Sequence, residues 1–385
     1  MEKDRTPIRV CFTVDAPYAG GAERYVYLLA ASLDRSAFEP VVLAKKSPGL
    51  DEWCERLAGA GISVTRVTMD LRRDPRDAAR IFEALRTAAP RVVHVNMPGP
   101  YDGQMGLIAP LARAAGAAGV VVTEHLPRVE RLWKRALVKR ISYAFADRVL
   151  TVCRANVPYL VGRQGVPEYK AQAVYNGIPE SYGRRREEWR GKMRRLLGLG
   201  AAEIGLVFVG SLVERKGLGV LLEALGALRS SPWRLAVVGD GERRAEYEAL
   251  ARSRGVDDRV TFLGEIPEAD VEKVLSGSDV LVLPSTMEGM PYVVIEAMAC
   301  SLPVAATRVD GIPEAAPDGE SGLLVAPGDA DALREALARL IGDEPLRARL
   351  GAEGRRRFER LFTLERQIAV MQALYAGLAG DGRVR

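Results

Sequence analysis

Two glutamates, Glu288 and Glu296, flank a loop whose chemistry suits an anionic ligand. The apolar run 279–283 predicts a buried parallel strand, and the loop that follows has Gly289 at its tightest point. We expect Pro291 to open the next helix, where its missing N–H and fixed φ are tolerated. Free N–H groups and a positive dipole end at such a helix bind anions. Glu296, inside the apolar string VVIEAMA, needs a polar partner, and a sugar or ribose hydroxyl is one.

The whole string closely resembles the E-x7-E signature of retaining, nucleotide-sugar-dependent glycosyltransferases of family 4. In that family it has the form E-G-[FML]-P-x-x-x-x-E-A-M-A, which residues 288–291 and 296–299 match position by position. The resemblance implies that Glu288 contacts hydroxyls of the transferred sugar and that Glu296 holds the ribose hydroxyls. It also implies a donor-binding role for Gly289, Met290 and Pro291. Whether Glu288 is a transient nucleophile or only a sugar contact stays open at this point.

Two segments of the first half follow predicted strands. The string DAPYAGGAE places Gly20 and Gly21 between a strand and a helix, where glycine permits close backbone approach to a ligand. An ordinary strand-to-helix turn is the alternative, but the resemblance to the family's G-G-x-E loop favours a position under the donor sugar and diphosphate. His125 lies just beyond a strand, where open α/β sheets bind ligands. Its match to the family's T-x-H segment implies a hydrogen bond to the sugar near the reacting carbon, whereas His94 is interpreted as structural.

The string GSLVERKG, residues 210–217, resembles the family's G-R-L-x-x-x-K-G loop. The resemblance implies that Lys216 neutralises the diphosphate leaving group, because without a metal the developing charge must be met by cations and dipoles. Gly210 and Ser211 are donor-binding candidates in the same loop. Ser211 stands where the family most often has Arg, and it brings no charge. Arg215 is expected to point elsewhere, since neighbouring side chains on a turn diverge.

Two more turns complete the implied donor site. Gly241 lies in a G-D-G turn that resembles the family's G-x-G loop. The segment from Leu263 to Ile266 begins at the end of the next predicted strand, and the resemblance implies that its backbone contacts the nucleobase edge. Asp329 and Asp331 have the D-x-D spacing of metal-dependent glycosyltransferases of another fold. A helix cap is the favoured interpretation here, so we assign no metal.

The elements that position these loops alternate along the chain. Strand-like runs, each followed by a helix-length segment, predict parallel, doubly wound sheets in an α/β fold. The runs are 8–14, 40–44, 62–67, 91–95, 119–123, 148–152, 204–210, 234–239, 259–264, 279–284, 302–307 and 322–326. The polar, basic stretch 180–200 is interpreted as the interdomain linker.

This organisation matches the GT-B fold of the resembling family, with two facing Rossmann-like domains. An N-terminal acceptor-side domain is expected over residues 1–182 and a nucleotide-sugar-binding domain over 183–362. A C-terminal helix within 363–385 is expected to cross back to the first domain, as it does in the family.

Composition limits the class of protein. At 385 residues the chain exceeds one typical core. Its net charge of +5 suits anionic ligands and is too small to demand nucleic acid. Four scattered cysteines without C-x-x-C spacing indicate reduced, mostly buried thiols rather than a metal site. With no signal peptide or membrane-spanning run apparent, we expect a cytoplasmic protein that is at most peripheral to the inner membrane face.

The segment 128–145 predicts an amphipathic helix. Its apolar positions, expected to face the core, are Leu132, Trp133, Ala136, Leu137, Ile141, Ala144 and Phe145. Its basic positions are Arg131, Lys134, Arg135, Lys139 and Arg140. A solvated charged face is favoured over contact with an anionic membrane or phosphorylated acceptor, because packing would claim the apolar stripe.

The resemblance as a whole implies a retaining enzyme that transfers a sugar from a nucleotide-diphosphate sugar to an acceptor hydroxyl. A UDP-sugar is the first expectation for the donor and GDP-mannose the next, and the acceptor is a glycan, a lipid-linked glycan or a small molecule. The donor is the co-substrate, and no further cofactor is implied. One alternative is a catalytically inert sugar-nucleotide-binding subunit. The joint presence of His125, Lys216, Glu288 and Glu296 argues against it. Another is an epimerase or phosphorylase-like enzyme of the same fold.

Overall fold

The computed structural model describes residues 6–71, 74–97, 99, 106–127 and 133–380. The chain forms two compact units. The first unit comprises the described residues up to Asn176 together with those from Leu364 onward, and the second unit comprises Gly177–Thr363. Each unit contains a parallel β-sheet with helices on both sides, as the alternating pattern predicts.

In the first unit the strand order is β3-β2-β1-β4-β5-β6-β7. The strands are β1 (Ile8–Val14), β2 (Phe38–Lys45), β3 (Ser63–Val67), β4 (Val92–Met97), β5 (Gly119–Glu124), β6 (Arg148–Thr151) and β7 (Ala171–Ala173). The helices are α1 (Gly21–Ser32), α2 (Asp51–Gly59), α3 (Arg76–Ala88), α4 (Ile108–Ala114), α5 (Trp133–Phe145), α6 (Val157–Gln164) and α15 (Leu364–Leu378). Only β7, three residues long, lies outside the runs predicted for this unit.

In the second unit the strand order is β10-β9-β8-β11-β12-β13. The strands are β8 (Ile204–Val209), β9 (Trp233–Val238), β10 (Val260–Gly264), β11 (Val280–Leu283), β12 (Val304–Thr307) and β13 (Gly322–Val325). The helices are α7 (Arg186–Leu196), α8 (Leu218–Gly226), α9 (Arg244–Ser253), α10 (Glu268–Gly277), α11 (Tyr292–Ala299), α12 (Ile312–Ala315), α13 (Ala330–Gly342) and α14 (Glu344–Leu361).

Both sheets reverse their strand order next to the first strand of the unit, between β1 and β4 and between β8 and β11. In open α/β sheets, ligands bind outside the carboxyl ends of the strands at such a reversal. The predicted site residues Gly20 and Lys216 follow β1 and β8, and Glu288 follows β11. The topology therefore places the candidate residues of each unit where this fold binds ligands.

The predicted return of the C-terminal helix to the first domain is confirmed. Helix α15 belongs to the first unit. The hydroxyl of Tyr375 lies 2.6 Å from Nδ1 of His94 on β4, and both side chains are buried. Arg91 donates to the carbonyl of Ala379, just beyond the helix, at 2.6 Å. The helix therefore completes the core of the first unit.

The stretch interpreted as a linker contains helix α7, which packs on α10 within the second unit. Arg190 and Arg194 donate to the Asp279 carboxylate, at the start of the apolar run 279–283, at 2.6 and 2.8 Å. Burial would raise the pKa of Asp279, but hydrogen bonds from Arg190 and the Gly205 amide hold that pKa below its usual value. The basic character of the stretch thus serves an internal ion pair.

The orientation predicted for 128–145 is wrong in the part that the structure describes, which excludes residues 128–132 and the side chains of 133–135. Lys139, assigned to the basic face, is buried, whereas Leu137 and Phe145 are 50% and 44% exposed. The reason lies on β5. The buried carboxylate of Glu124 takes Lys139 as its ion-pair partner at 3.0 Å and accepts a hydrogen bond from Tyr143. Turning the apolar stripe inward would leave that carboxylate without its cation, a penalty larger than the gain from burying two apolar side chains.

No helix in the described part of the chain has both the length and the apolar character needed to cross a membrane.

Candidate functional site

Two loops of the second unit are fixed against each other. Gly217 has φ +74°, and a Cβ there would overlap the carbonyl of Pro284 at the end of β11. The amide of Thr286 donates to the carbonyl of Arg215 at 2.8 Å. Glycine is therefore required at 217 both by conformation and by close backbone approach. The consequence is that the loop bearing Lys216 lies directly beside the loop bearing Glu288.

Lys216 and Glu288, both predicted to be catalytic, form an ion pair. Nζ of Lys216 lies 2.5 Å from Oε1 of Glu288, and the hydroxyl of Ser285 donates to the same oxygen at 2.7 Å. The Glu288 amide donates to the Asp310 carboxylate at 2.9 Å. Glu288 is buried, so Lys216 is the principal cation that balances its charge.

Arg215 does not point away from this pair, contrary to expectation. Its Nη1 lies 4.0 Å from Oε2 of Glu288 and contacts the carbonyl of Met287 at 3.5 Å. The Arg215 side chain is 46% exposed, whereas that of Lys216 is 13% exposed. The loop thus carries two cations beside one carboxylate, and Ser211 is exposed and adds no charge.

Helix α11 begins one residue later than expected, with Pro291 as its N-cap residue in extended conformation. All eight residues of the helix are buried, including Glu296 at 2% exposure. Met290, just before the cap, is buried as well. The Gly289 carbonyl accepts from the Gly311 amide at 3.0 Å, which holds the loop against the segment after β12.

In the other predicted donor loops, packing requires glycine at Gly239 and Gly241. Gly210 has φ +157°, and a Cβ at Gly239, with φ +121°, would overlap the carbonyl of Gly210. A Cβ at Gly241 would lie 2.7 Å from the carbonyl of Leu212. The carboxyl ends of β8 and β9 therefore approach each other at a distance that only glycine allows. The aliphatic part of the Lys216 side chain lies beside Gly210. Its Cδ would be 3.5 Å from a Cβ built at Gly210, which is an ordinary van der Waals contact.

Leu263, predicted to contact a nucleobase, lies on the edge strand β10 at an irregularity. Phe262 pairs with Val237 and Gly264 with Val238, so the register skips Leu263. The Gly239 amide donates to the Gly264 carbonyl at 2.8 Å and closes the strand end. Bulges of this kind redirect backbone and side-chain groups near binding sites. Ile266, two residues beyond the strand, is half-buried.

In the first unit, Gly20 is the N-cap of α1. Its amide donates to the Glu23 carboxylate at 2.9 Å, while the Glu23 carbonyl accepts from the indole of Trp53 at 3.1 Å. Glu23 is buried, and its G-x-x-E spacing from Gly20 is that of a capping pair. Gly20 itself has φ −144° and only an ordinary contact at its Cβ position, so the fold does not require glycine there.

His125 is half-buried after β5. Its Nε2 lies 2.6 Å from Oδ1 of Asn96, its amide donates to the Met97 carbonyl at 3.2 Å, and the ring of Tyr25 packs edge-on at 4.7 Å. Burial lowers the pKa of His125 to about 3, so the imidazole is neutral. Asn96 was not predicted from sequence. The signal was its place at the carboxyl end of β4, which pairs with β5.

His94 is fully buried, and both of its ring nitrogens have partners. Nδ1 lies 2.6 Å from the Tyr375 hydroxyl and Nε2 lies 2.7 Å from the Thr123 hydroxyl. Burial lowers its pKa to about 3. These contacts match the structural interpretation of His94.

Comparison with known proteins gives concordant results. The family model described as Glycosyltransferase Family 4 matches residues 19–182, and the one described as Glycosyl transferases group 1 matches residues 192–357. A GDP-mannose-dependent alpha-(1-6)-phosphatidylinositol monomannoside mannosyltransferase of Mycolicibacterium smegmatis is 30% identical over 88% of this chain and 90% of the relative. A D-inositol 3-phosphate glycosyltransferase of Acidothermus cellulolyticus is 30% identical, over 86% of this chain and 80% of the relative.

The chain belongs to glycosyltransferase family 4.

The solved structures agree on the fold. Anabaena HepE, crystallised in complex with UDP, superposes with a TM-score of 0.83 at 20% identity, covering 96% of this chain and 100% of that one. The GT-B architecture expected from the sequence is therefore confirmed. The two family models between them cover both the glycine loop and histidine of the first unit and the lysine and glutamates of the second.

Within this glycosyltransferase the structure joins the predicted residues into two groups. In the second unit, Lys216 contacts Glu288 directly. In the first unit, Asn96 connects His125 to the helix of the glycine loop, since its amide also donates to the Ala22 carbonyl at 3.4 Å. Glu296 lies more than one helical turn beyond the loop, within the buried helix α11.

The D-x-D triplet has the predicted capping role. Asp329 accepts from the Ala332 amide at 2.9 Å as the N-cap of α13, and the Asp331 side chain is 93% exposed. Across the described ranges, no cluster of three or more His, Cys, Asp or Glu residues could hold a metal ion. All four cysteines are free and buried, as expected.

Proposed function

We propose that this glycosyltransferase transfers a sugar from a nucleotide-diphosphate donor to an acceptor hydroxyl with retention of configuration. The Lys216–Glu288 pair carries the proposal, because it holds a cation for phosphate and a carboxylate for sugar hydroxyls in contact. In the proposed reaction the diphosphate leaves toward Lys216 and the amino end of α11. The acceptor hydroxyl then attacks the same face of the sugar, and the departing phosphate takes its proton.

The residue roles follow from this proposal. Lys216 neutralises the leaving diphosphate, Glu288 holds hydroxyls of the transferred sugar, and Glu296 holds the ribose. Gly20 and Gly21 let the backbone approach the donor, and His125 bonds the sugar. Because Lys216 and Glu288 form an ion pair, each has to exchange part of this contact for phosphate or sugar when it binds the donor.

For the donor we propose a UDP-sugar first and GDP-mannose second. The skipped register at Leu263 supports a nucleobase-contacting segment there. The relative from Mycolicibacterium is described as GDP-mannose-dependent, and the names of both relatives include an inositol compound. Inositol phosphates and their lipids are therefore the first acceptors to test, followed by glycans and small hydroxylated molecules.

The decisive experiment is a donor panel. Thermal shift with UDP, GDP and ADP identifies the base, and sugar donors of that base are then incubated with the acceptors. The anomeric proton coupling of the product, followed by NMR from the first turnovers, reports retention or inversion. Binding without turnover would favour an inert subunit, free epimerised donor would favour an epimerase, and an inverted product would overturn retention.

Metal independence is part of the proposal, because Lys216 and Arg215 supply positive charge beside Glu288. We expect saturating EDTA to leave the transfer rate unchanged. Loss of activity with EDTA and recovery with Mn²⁺ or Mg²⁺ would contradict it.

We further propose peripheral contact with an anionic membrane through α5. Leu137, Ala144 and Phe145 are exposed on one helix face together with the exposed Arg140, so packing does not claim this stripe. Flotation with vesicles of phosphatidylglycerol and of phosphatidylcholine tests the contact. Equal absence from both would overturn it, and a Leu137→Glu, Phe145→Glu variant should lose binding to the anionic vesicles.

A further inference from the structure

The side chain of Asn96 has a fixed direction. It is fully buried at the carboxyl end of β4. Its amide nitrogen donates to the Ala22 carbonyl in the first turn of α1 at 3.4 Å. A flipped amide would place its oxygen against that carbonyl oxygen, and two acceptors repel each other. Oδ1 is therefore the atom that faces His125.

This direction determines the tautomer of His125. Oδ1 of Asn96 can only accept a hydrogen bond, and it lies 2.6 Å from Nε2 of His125. Nε2 must therefore carry the proton. In a neutral imidazole the other nitrogen, Nδ1, then has a free lone pair. Among the described residues, Nδ1 has no hydrogen-bond partner.

The surroundings keep the ring neutral. Tyr25 packs edge-on against it, and burial raises the pKa of that phenol, so it carries no charge. His94, on the far side of Tyr25, is itself neutral. The carboxylate of Glu124, the residue before His125, is paired with Lys139. The described neighbours of His125 thus include no charged group in contact with its ring.

We propose that Asn96 is a positioning residue that holds His125 as the Nε2–H tautomer, so that Nδ1 accepts a hydrogen bond from a substrate hydroxyl. The inference rests on the proposed function for the identity of that hydroxyl, which belongs to the transferred sugar. Histidine acts here as an acceptor and not as a cation. Asn96 also couples this acceptor to the glycine loop, because its amide donates to Ala22 in the first turn of α1, the helix that begins at Gly21.

The tautomer can be tested without any activity. The chain has two histidines, so long-range ¹H–¹⁵N spectra of ¹⁵N-histidine protein contain two imidazole patterns, assigned with a His125→Gln variant. We expect the His125 pattern of the neutral Nε2–H form from about pH 5 to 9. An Nδ1–H pattern, or an imidazolium at neutral pH, would overturn the proposal. The His94 pattern is the internal control.

Variants of Asn96 test the consequence for catalysis. Asn96→Ala should lower kcat/KM for the preferred donor by roughly tenfold and leave Kd for the free nucleotide within about twofold. Asn96→Asp places a carboxylate on Nε2 and should raise the pKa of His125 toward neutrality. The activity of this variant should then fall below about pH 6.5, because His125 becomes protonated and its Nδ1 can no longer accept a hydrogen bond. The activity of the parent should not fall through protonation of His125 in this range.

The two readouts separate the possible failures. If the wild-type protein shows no transfer with any donor, the proposed function fails, and the spectra still decide the tautomer. If the wild-type protein transfers sugar and a folded Asn96→Asp variant keeps the parental pH profile, the positioning role is overturned. If neither Asn96 variant folds, the tautomer seen in the parental spectra decides between support and rejection.

Discussion

The candidate residues of the two units differ in charge. In the first unit, His125 has a neutral ring that contacts Asn96 and Tyr25. The two glycines of the Gly20–Gly21 loop offer only uncharged backbone groups. In the second unit, two cations flank the buried carboxylate of Glu288. Neutral groups can direct hydroxyls without attracting phosphate, whereas charged groups can take up the charge of a leaving diphosphate. Under the proposed function, the neutral group positions the sugar and the charged group stabilises the phosphate.

The glycines of the two units differ as well. In the second unit, Gly217 and Gly239 have positive φ and lie against backbone carbonyls, so the fold itself requires them. In the first unit, Gly20 has neither constraint. Under the proposed function, close approach of the donor to this loop accounts for glycine there. Gly217 and Gly239 in the second unit's loops are therefore required by the fold, whereas Gly20 in the first unit is not.

The largest effect is expected at the charged group. Lys216→Ala should lower turnover at least about 100-fold, on the order of 3 kcal/mol in the barrier, because the cation acts on charge that develops as the diphosphate leaves. Steady-state kinetics with the preferred donor measure the loss, and the melting temperature shows whether the fold is kept. Near-parental turnover in a variant that melts like the parent would remove the lysine from the mechanism.

Arg215→Ala is the matched control for Lys216→Ala. Arg215 is adjacent in sequence, half-exposed and farther from the Glu288 carboxylate. Solvent screens such a charge, so its removal should reduce turnover by less than about tenfold. An effect as large as that of Lys216→Ala would mean that Arg215 replaces the positive charge that Ser211 does not supply.

Glu296→Gln should weaken binding of the free nucleotide diphosphate. The variant keeps size and one acceptor oxygen but loses a charge-assisted hydrogen bond to the ribose, worth roughly 1.5–3 kcal/mol. Kd measured by calorimetry should rise about ten- to a hundredfold. An unchanged Kd would remove Glu296 from the ribose site.

Glu288→Gln should have the opposite signature. Its proposed partner is the transferred sugar, so Kd for the free nucleotide diphosphate should stay within about twofold while turnover falls roughly tenfold or more. Calorimetry and steady-state kinetics on the same preparation measure both quantities. If this variant lost nucleotide affinity while Glu296→Gln kept it, the two roles would be reversed.

The smallest effect is expected at His94, a neutral residue of the first unit. His94 has a pKa of about 3 when folded, against an ordinary value near 6.5, so the unfolded chain binds the extra proton first. The stabilising contribution of neutral His94 is complete above about pH 6.5 and is lost as the pH falls toward 3. Between about pH 7.5 and 5 the loss is ~2 kcal/mol.

Urea titrations at the two pH values measure this loss. In a folded His94→Gln variant, the fall in the free energy of unfolding should be smaller by that amount. An equal fall in the parent and the variant would mean that His94 is not buried as a neutral ring.

The sequence predicted the elements more fully than the contacts. Each predicted run coincides with a strand, and most of these strands are buried, largely apolar strings. The orientation of α5 was wrong, because a periodicity argument does not include the partner that Glu124 needs from a different element. Asn96 and Asp310 were missed for the same reason. Each acts through a hydrogen bond to a residue far away in sequence, and neither stands in a string with a recognisable spacing.

Helix α15 gives the protein an order of assembly. Residues Gly177–Thr363 leave the ribosome as one continuous stretch, so the second unit can fold while synthesis is still under way. The core of the first unit is complete only after Tyr375 has been synthesised. This residue follows the second unit in sequence, and its hydroxyl is the partner of Nδ1 of His94. Until helix α15 has been synthesised, the buried hydrogen bond between Tyr375 and His94 cannot form. The unit that contains His125 therefore depends on a helix that is synthesised after the second unit.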